Sequence, residues 1–343
     1  MQALLKVRPA PGAEFGDVPV PRPAPDEVLI KVKAASVCGT DLHIFNWDAW
    51  SASRIKTPLV FGHECTGEVV EVGANVSDVP VGSHVSVETH ITCGHCYQCR
   101  TGAEHVCRNV KVVGVDRPRA YAEYLAVPAR NAWINDDSLP WEIATLLEPF
   151  GNAVHAVHAG EGVSGKTVLV SGCGPIGIMS IAVAKAQGAL AVYATEVNPY
   201  RIDLARKMGP TAVYDAAKTD VFEAIMDQTK GEGVDVLLEM SGAVKGMEDG
   251  FRVLKNGGSA ALLGLPSAPP KFDLTDHIIM KGAKVYGIYG REMFRTWYRS
   301  KALVQSGLVD LSKIITHTFP LKKFPEAMEV VASGKCGKIV LRG

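Results

Sequence analysis

The chain has 343 residues, long enough for two domains, and its 47% hydrophobic content supports a full core. Its 36 Lys plus Arg balance 36 Asp plus Glu with no long run of one sign, which argues against nucleic acid or an anionic membrane as main partner. No apolar run approaches the ~18 residues of a membrane span, and the start, Met1 to Val7, alternates like a strand and lacks a signal peptide's layout, so a cytoplasmic protein is expected.

Short strands and turns fill residues 1 to 35, with a proline-rich linker from Pro19 to Pro25 and period-two alternation from Glu27 to Lys33. Then come Cys38-Gly39-Thr40-Asp41-Leu42-His43 and Phe61-Gly62-His63-Glu64. Cys38, His63 and Glu64 supply a thiolate, an imidazole and a carboxylate, the donor types that hold a catalytic zinc with one position open. Such a metal solves the problem of an alcohol's proton. A hydroxyl ionises near pKa ~16, whereas zinc brings bound water to about 7, a difference on the order of 12 kcal/mol.

Half-buried strands follow over Gly67 to Gly73 and Val81 to Val87, which suggests a mostly β first domain. Cys93-x-x-Cys96-x-x-Cys99 and Cys107 then crowd four thiols into fifteen residues. Four thiolates close a tetrahedron, so this second zinc is structural. Arg100, Arg108 and Lys111 stand nearby to offset its negative shell. A nucleic-acid ribbon fits poorly, since its knuckles are usually spaced further apart and this patch is not strongly basic. Cys65, Cys173 and Cys336 read as small apolar fillers.

From Trp141 the pattern turns helical, and Glu148 falls between an apolar stretch and Pro149, where a lone charge is costly. It reads as a further zinc ligand, as a group that exchanges with water on the metal, or as a helix-end carboxylate. Zinc with Cys38, Glu64 and neutral His63 sums to zero charge. Adding Glu148 leaves the set one unit negative, which opposes permanent ligation.

A buried strand, Lys166 to Val170, opens the second domain, and Gly172-Cys173-Gly174-Pro175-Ile176-Gly177 leads from it into a helix. This Gly-x-Gly-x-x-Gly turn seats a pyrophosphate at a helix N-terminus. A second strand ends in Glu196, about 20 residues on, where a carboxylate accepts the ribose hydroxyls and repels a 2′-phosphate, so NAD is favoured over NADP. Arg201 could partner a phosphate, but with Glu196 present it is expected to lie along the adenosine. Strand–helix alternation continues through strands at Ala212–Tyr214, Val234–Met240, Ser259–Leu265 and Lys284–Tyr289, which makes a doubly wound parallel six-stranded sheet. The strand ends Leu263-Gly264-Leu265 and Ile288-Tyr289 approach the nicotinamide half.

Together these motifs resemble the zinc-dependent medium-chain alcohol dehydrogenases over essentially the whole chain. Within that family the strings Cys38 to Asp48, Leu147 to His155 and Ile288 to Phe294 are most similar to members acting on L-threonine. The resemblance implies an α/β protein with a GroES-like, mostly-β catalytic domain over 1–148, a Rossmann domain over 149–290, and a segment 291–343 returning to the first. It implies a cytoplasmic homotetramer with NAD and two zinc ions per subunit, oxidising the 3-hydroxyl of L-threonine to 2-amino-3-oxobutanoate. Cys38, His63 and Glu64 then hold the catalytic zinc, and Thr40 and His43 relay the proton to water. Glu148 stays near the metal and is a candidate partner for the substrate ammonium. The nearest alternative is a polyol or vicinal-diol dehydrogenase of the same family, which differs only in its pocket.

Overall fold

The structure is a computed structural model that describes residues 1–118, 120–266 and 269–343. The chain forms two compact units: Met1–Glu148 with Ile315–Gly343, and Pro149–Ile314. The first unit's leading segment holds strands β1 (Gln2–Lys6), β2 (Glu14–Asp17), β3 (Glu27–Ser36), β4 (Leu59–Val60), β5 (Glu64–Val72), β6 (His84–Val87), β7 (His90–Ile91), β8 (Lys111–Val112), β9 (Tyr124–Pro128) and β10 (Ala132–Ile134). The second unit holds β11 (Thr167–Ser171), β12 (Ala191–Glu196), β13 (Ala212–Asp215), β14 (Val234–Glu239), β15 (Leu254–Leu262) and β16 (Lys284–Gly287). Strands β17 (Ile315–Pro320) and β18 (Lys338–Arg342) close the chain.

Strand β3 organises the first unit. It pairs with β5 along most of its length, while β9 takes Glu27–Lys31 and β18 takes Ala34–Ser36. With its edges filled it is an interior strand, and the alternation from Glu27 to Lys33 gives way to burial on both faces except near Lys31 and Lys33. The C-terminal return is what completes this core. Phe324, from the helix Phe324–Ala332, packs its ring 5.6 Å from Phe61 and 5.2 Å from Tyr121, and all three are fully buried. Each such side chain contributes roughly 1.5–3 kcal/mol by burial alone, so the tail is part of this unit's stability.

The return starts at Ile315, not at residue 291 as expected from the sequence. Helix Arg295–Gln305 belongs to the second unit, with Trp297 and Leu303 buried there, and the turn Leu311–Ile314 packs on helix Pro175–Ala186. Apolar anchors, which the bare strand count overlooks, keep this stretch with the second unit.

In the second unit the parallel order is β13-β12-β11-β14-β15-β16, so the chain steps outward from β11 in both directions. That reversal beside β11 puts a crevice at the carboxyl ends of the strands. β15 ends at Leu262, three residues before the expected end. The Leu263 and Gly264 N–H groups turn back onto the Glu239 carbonyl, at 2.9 and 3.1 Å. No helix among the described residues is long and apolar enough to cross a membrane.

Candidate metal centres and dinucleotide site

Helix Gly39–Asn46 starts at Cys38, whose N–H donates to Asp41 Oδ2 at 2.8 Å, and this cap holds the thiol at the helix entrance. His63 follows Gly62, which has φ +87°; a Cβ on Gly62 would strike the Tyr121 ring at 2.7 Å. Glycine is therefore required to turn His63 inward. Glu64 opens β5 opposite Ser36 of β3. These three local devices bring one donor atom each from Cys38, His63 and Glu64 within 4.8 Å of one another.

The donor chemistry fits zinc. Burial by itself would push the His63 imidazole down, but the negative Cys38 sulfur, with Asp41 and Glu148 adding to it, raises its pKa to about 10. His63 Nδ1 and Asp41 Oδ1 are both buried without hydrogen-bond partners among the described residues and face each other at 3.9 Å. A carboxylate behind a ligating imidazole fixes its orientation and tautomer. Asp41 is itself held by the Tyr121 hydroxyl, which donates to Oδ2 at 2.6 Å. Reading the sequence for donor types passed over Asp41; its spacing three residues after Cys38 was the available signal. Asp41→Asn should weaken zinc at this centre by about 10–100-fold, measured by chelator competition. An unchanged affinity would make Asp41 a cap only.

Glu64 has a second set of partners that the sequence did not reveal. Ser36 Oγ and Lys338 Nζ both donate to Glu64 Oε2, and Lys338 also donates to the Val37 carbonyl at 2.8 Å. Glu64 and Lys338 are 274 residues apart, and their side chains are 1% and 2% exposed. A lysine opening the apolar strand Lys338-Ile339-Val340-Leu341 was the only hint.

Glu148 is buried, outside the three-donor cluster, and accepts from Thr89 Oγ1 at 3.0 Å. Thr40 Oγ1 lies 3.7 Å from Cys38 Sγ. His43, three residues further along the same helix face, is exposed and makes a 2.5 Å contact from Nδ1 to Asp48 Oδ2. The helix thus carries Thr40 beside the donor cluster and His43 at the surface.

The four lobe cysteines form a second cluster, with Sγ–Sγ distances of 3.4 Å (Cys96–Cys99), 3.7 Å (Cys96–Cys107) and 3.5 Å (Cys93–Cys107). All four are free thiols. A zinc tetrahedron with bonds near 2.3 Å has edges of about 3.8 Å, so the lobe is already shaped for the ion. The His95 backbone N–H draws Cys93 down to about 5, and the Cys99 N–H lowers Cys96 likewise, whereas burial pushes Cys99 up to about 12. Backbone amides stabilise the negative sulfurs here. Arg100, Arg108 and Lys111, expected to do so, are exposed.

The dinucleotide turn is built as its glycines require. Gly172 has φ +91°, and a Cβ on Gly177 would lie 2.0 Å from the Gly172 carbonyl oxygen. A Cβ on Gly174 would meet no protein atom within 4 Å, which leaves the backbone open to a phosphate. Ile176 sits half-buried in the first turn of helix Pro175–Ala186. Glu196 ends β12 and accepts from the N–H groups of Cys173 (2.9 Å), Val197 (2.8 Å) and Asn198 (3.0 Å), so the acid is locked to the glycine turn. Arg201 carries a buried Nε without a hydrogen-bond partner among the described residues. Leu263, Gly264, Leu265, Ile288 and Tyr289 all lie just past the ends of β15 and β16, Leu265 being 89% exposed.

Residues 24–137 match the family described as alcohol dehydrogenase GroES-like domain, and residues 175–306 match that described as zinc-binding dehydrogenase. An L-threonine 3-dehydrogenase of Pyrococcus abyssi is 51% identical, and one of Bacillus licheniformis 48%; each alignment covers 99% of this chain and 98% of the relative. An E. coli alcohol dehydrogenase crystallised with cofactor NADH superposes with a TM-score of 0.92 at 26% identity, covering 100% of this chain and 99% of the other. By its two matched regions and these full-length relatives, the chain belongs to the zinc-binding, medium-chain alcohol dehydrogenase family.

Proposed function

We propose that the protein is an NAD-linked L-threonine 3-dehydrogenase that oxidises the substrate's 3-hydroxyl to 2-amino-3-oxobutanoate. The observation that carries this is the donor set of half-buried Cys38 with buried His63 and Glu64, all within 4.8 Å of one another. The choice of L-threonine leans on the names of relatives about half identical over the whole chain. Zinc at this centre, when bound, supplies the Lewis acidity that makes the hydroxyl proton removable, and NAD accepts the hydride.

The chain's own residues do the rest. Cys38, His63 and Glu64 hold the metal, with Asp41 orienting His63. The Thr40 hydroxyl takes the departing proton and passes it, by way of the cofactor ribose, to His43, whose exposed ring hands it to water. Glu148 provides an anion for the substrate ammonium. Glu196 accepts the ribose hydroxyls and so favours NAD, while Arg201 lies along the adenosine. Cys93, Cys96, Cys99 and Cys107 hold the second, structural zinc of each subunit.

A cytoplasmic homotetramer completes the reading. Supporting it, β16 is an edge strand with Val285, Ile279 and Met280 exposed at 38%, 62% and 71%. Exposed apolar edges of this kind pair with another chain.

The test is NADH formation with L-threonine before and after chelation, alongside sorbitol and 2,3-butanediol. Activity should follow L-threonine and vanish on chelation. A higher kcat/KM for sorbitol or 2,3-butanediol would replace the substrate, and activity that survives complete zinc loss would remove the mechanism.

A further inference from the structure

The residues after β16 carry the nicotinamide contacts Ile288 and Tyr289 and run directly into Gly290 and Arg291. A loop fixes a reacting ring only if something rigid fixes the loop. Here the rigid element is helix Leu147–Val157. Arg291 is 1% exposed and ranks among the largest fully buried side chains. Its Nη1 donates to Asn152 Oδ1 at 3.2 Å. One residue earlier, the Gly290 carbonyl lies 2.9 Å from His155 Nδ1. A carbonyl only accepts, so His155 carries its proton on Nδ1. Asn152 and His155 are three apart and share a helix face. Gly151 completes the fit, because a Cβ there would meet Arg291 Cγ and Cδ at 2.6 Å. Those atoms are the middle of a buried, hydrogen-bonded stem, so they have little room to retreat.

We propose that Gly151, Asn152 and His155 latch Gly290 and Arg291 so as to hold Ile288 and Tyr289 against the nicotinamide half of the cofactor. Gly151 and Arg291 are then positioning residues for hydride acceptance. This rests on the NAD reading above. Breaking the latch adds the cost of ordering the loop to the binding of a whole dinucleotide. The adenosine and pyrophosphate half, held at Gly172–Gly177 and Glu196, does not meet that cost.

The test uses the zinc-loaded, full-length protein and titrates NADH and ADP-ribose, which lacks the nicotinamide. In Gly151→Ala and Arg291→Lys the NADH dissociation constant should rise about tenfold, or about 1.4 kcal/mol, with ADP-ribose within about twofold. KM for NAD should rise more than KM for L-threonine. Asn152→Ala removes one acceptor without disturbing the packing, so it serves if the others fold poorly, with a shift of about threefold expected. Unchanged NADH affinity in folded variants, or an equal loss for ADP-ribose, sinks the latch alone. A wild-type protein that binds neither ligand sinks the NAD reading and the latch with it.

Discussion

Replacing Lys338 by Met should cost the chelated protein about 3–5 kcal/mol of stability and yet tighten its hold on zinc. Lys338 and Glu64 form an ion pair in which neither side chain is more than 2% exposed. Removing one partner of such a pair leaves the other charge buried, with the Ser36 hydroxyl still donating to Glu64 Oε2. With zinc loaded, the same carboxylate faces a cation, so the loss is smaller. By linkage, the difference between the two losses appears as a gain in zinc affinity. Denaturant unfolding of wild type and variant, each with and without zinc, measures it. The double difference cancels what the four-cysteine site contributes. Equal destabilisation in both states, or weaker zinc binding, would mean that Lys338 supports the metal-bound form instead of competing with it.

Lys338 and Asp41 both enter the charge balance around Glu148. Counting only sequence-visible donors, a fourth ligand from Glu148 leaves the set one unit negative. Lys338 adds one positive charge and Asp41, behind His63, one negative charge, so the set with Glu148 stays one unit negative and charge still opposes ligation. Geometry also sets Glu148 apart: it lies outside the three-donor cluster, with Oε1 accepting from Thr89.

Thr40→Ala should lower kcat by about 10²–10⁴-fold, the usual worth of a positioned proton carrier. Zinc content and NADH affinity should stay within about twofold, because Thr40 is neither a metal donor nor part of the nucleotide turn. Thr40→Ser keeps the hydroxyl and should recover most of the rate. The deficit should shrink as pH rises and solvent base replaces the relay. A kcat that stays at the wild-type value across pH would take Thr40 off the proton path. His43→Ala should be milder, since its ring is exposed and buffer can stand in for it.

Much of this protein was legible from sequence because its key motifs are local. The glycine turn at Gly172–Gly177 follows from backbone sterics within six residues, and the cysteine lobe from thiols spaced along one short loop. The alternation of strands and helices likewise reports a doubly wound sheet, because apolar period and turn residues act over short range. Even Glu196, across one strand and helix from the glycine turn, sits at a spacing the fold repeats.

Other features depended on which strands lie side by side. The pairing of β18 with β3 brings Lys338 to Glu64 across 274 residues, and Tyr121 reaches Asp41 across 80. Helix packing keeps residues 291–314 with the second unit and sets Arg291 on Gly151. The sequence by itself determined the fold class and picked out the candidate donors and the glycine turn. Only the tertiary structure decided which buried charge faces which, because a charge's partner is set by sheet register and packing, and neither is written in the residues around it.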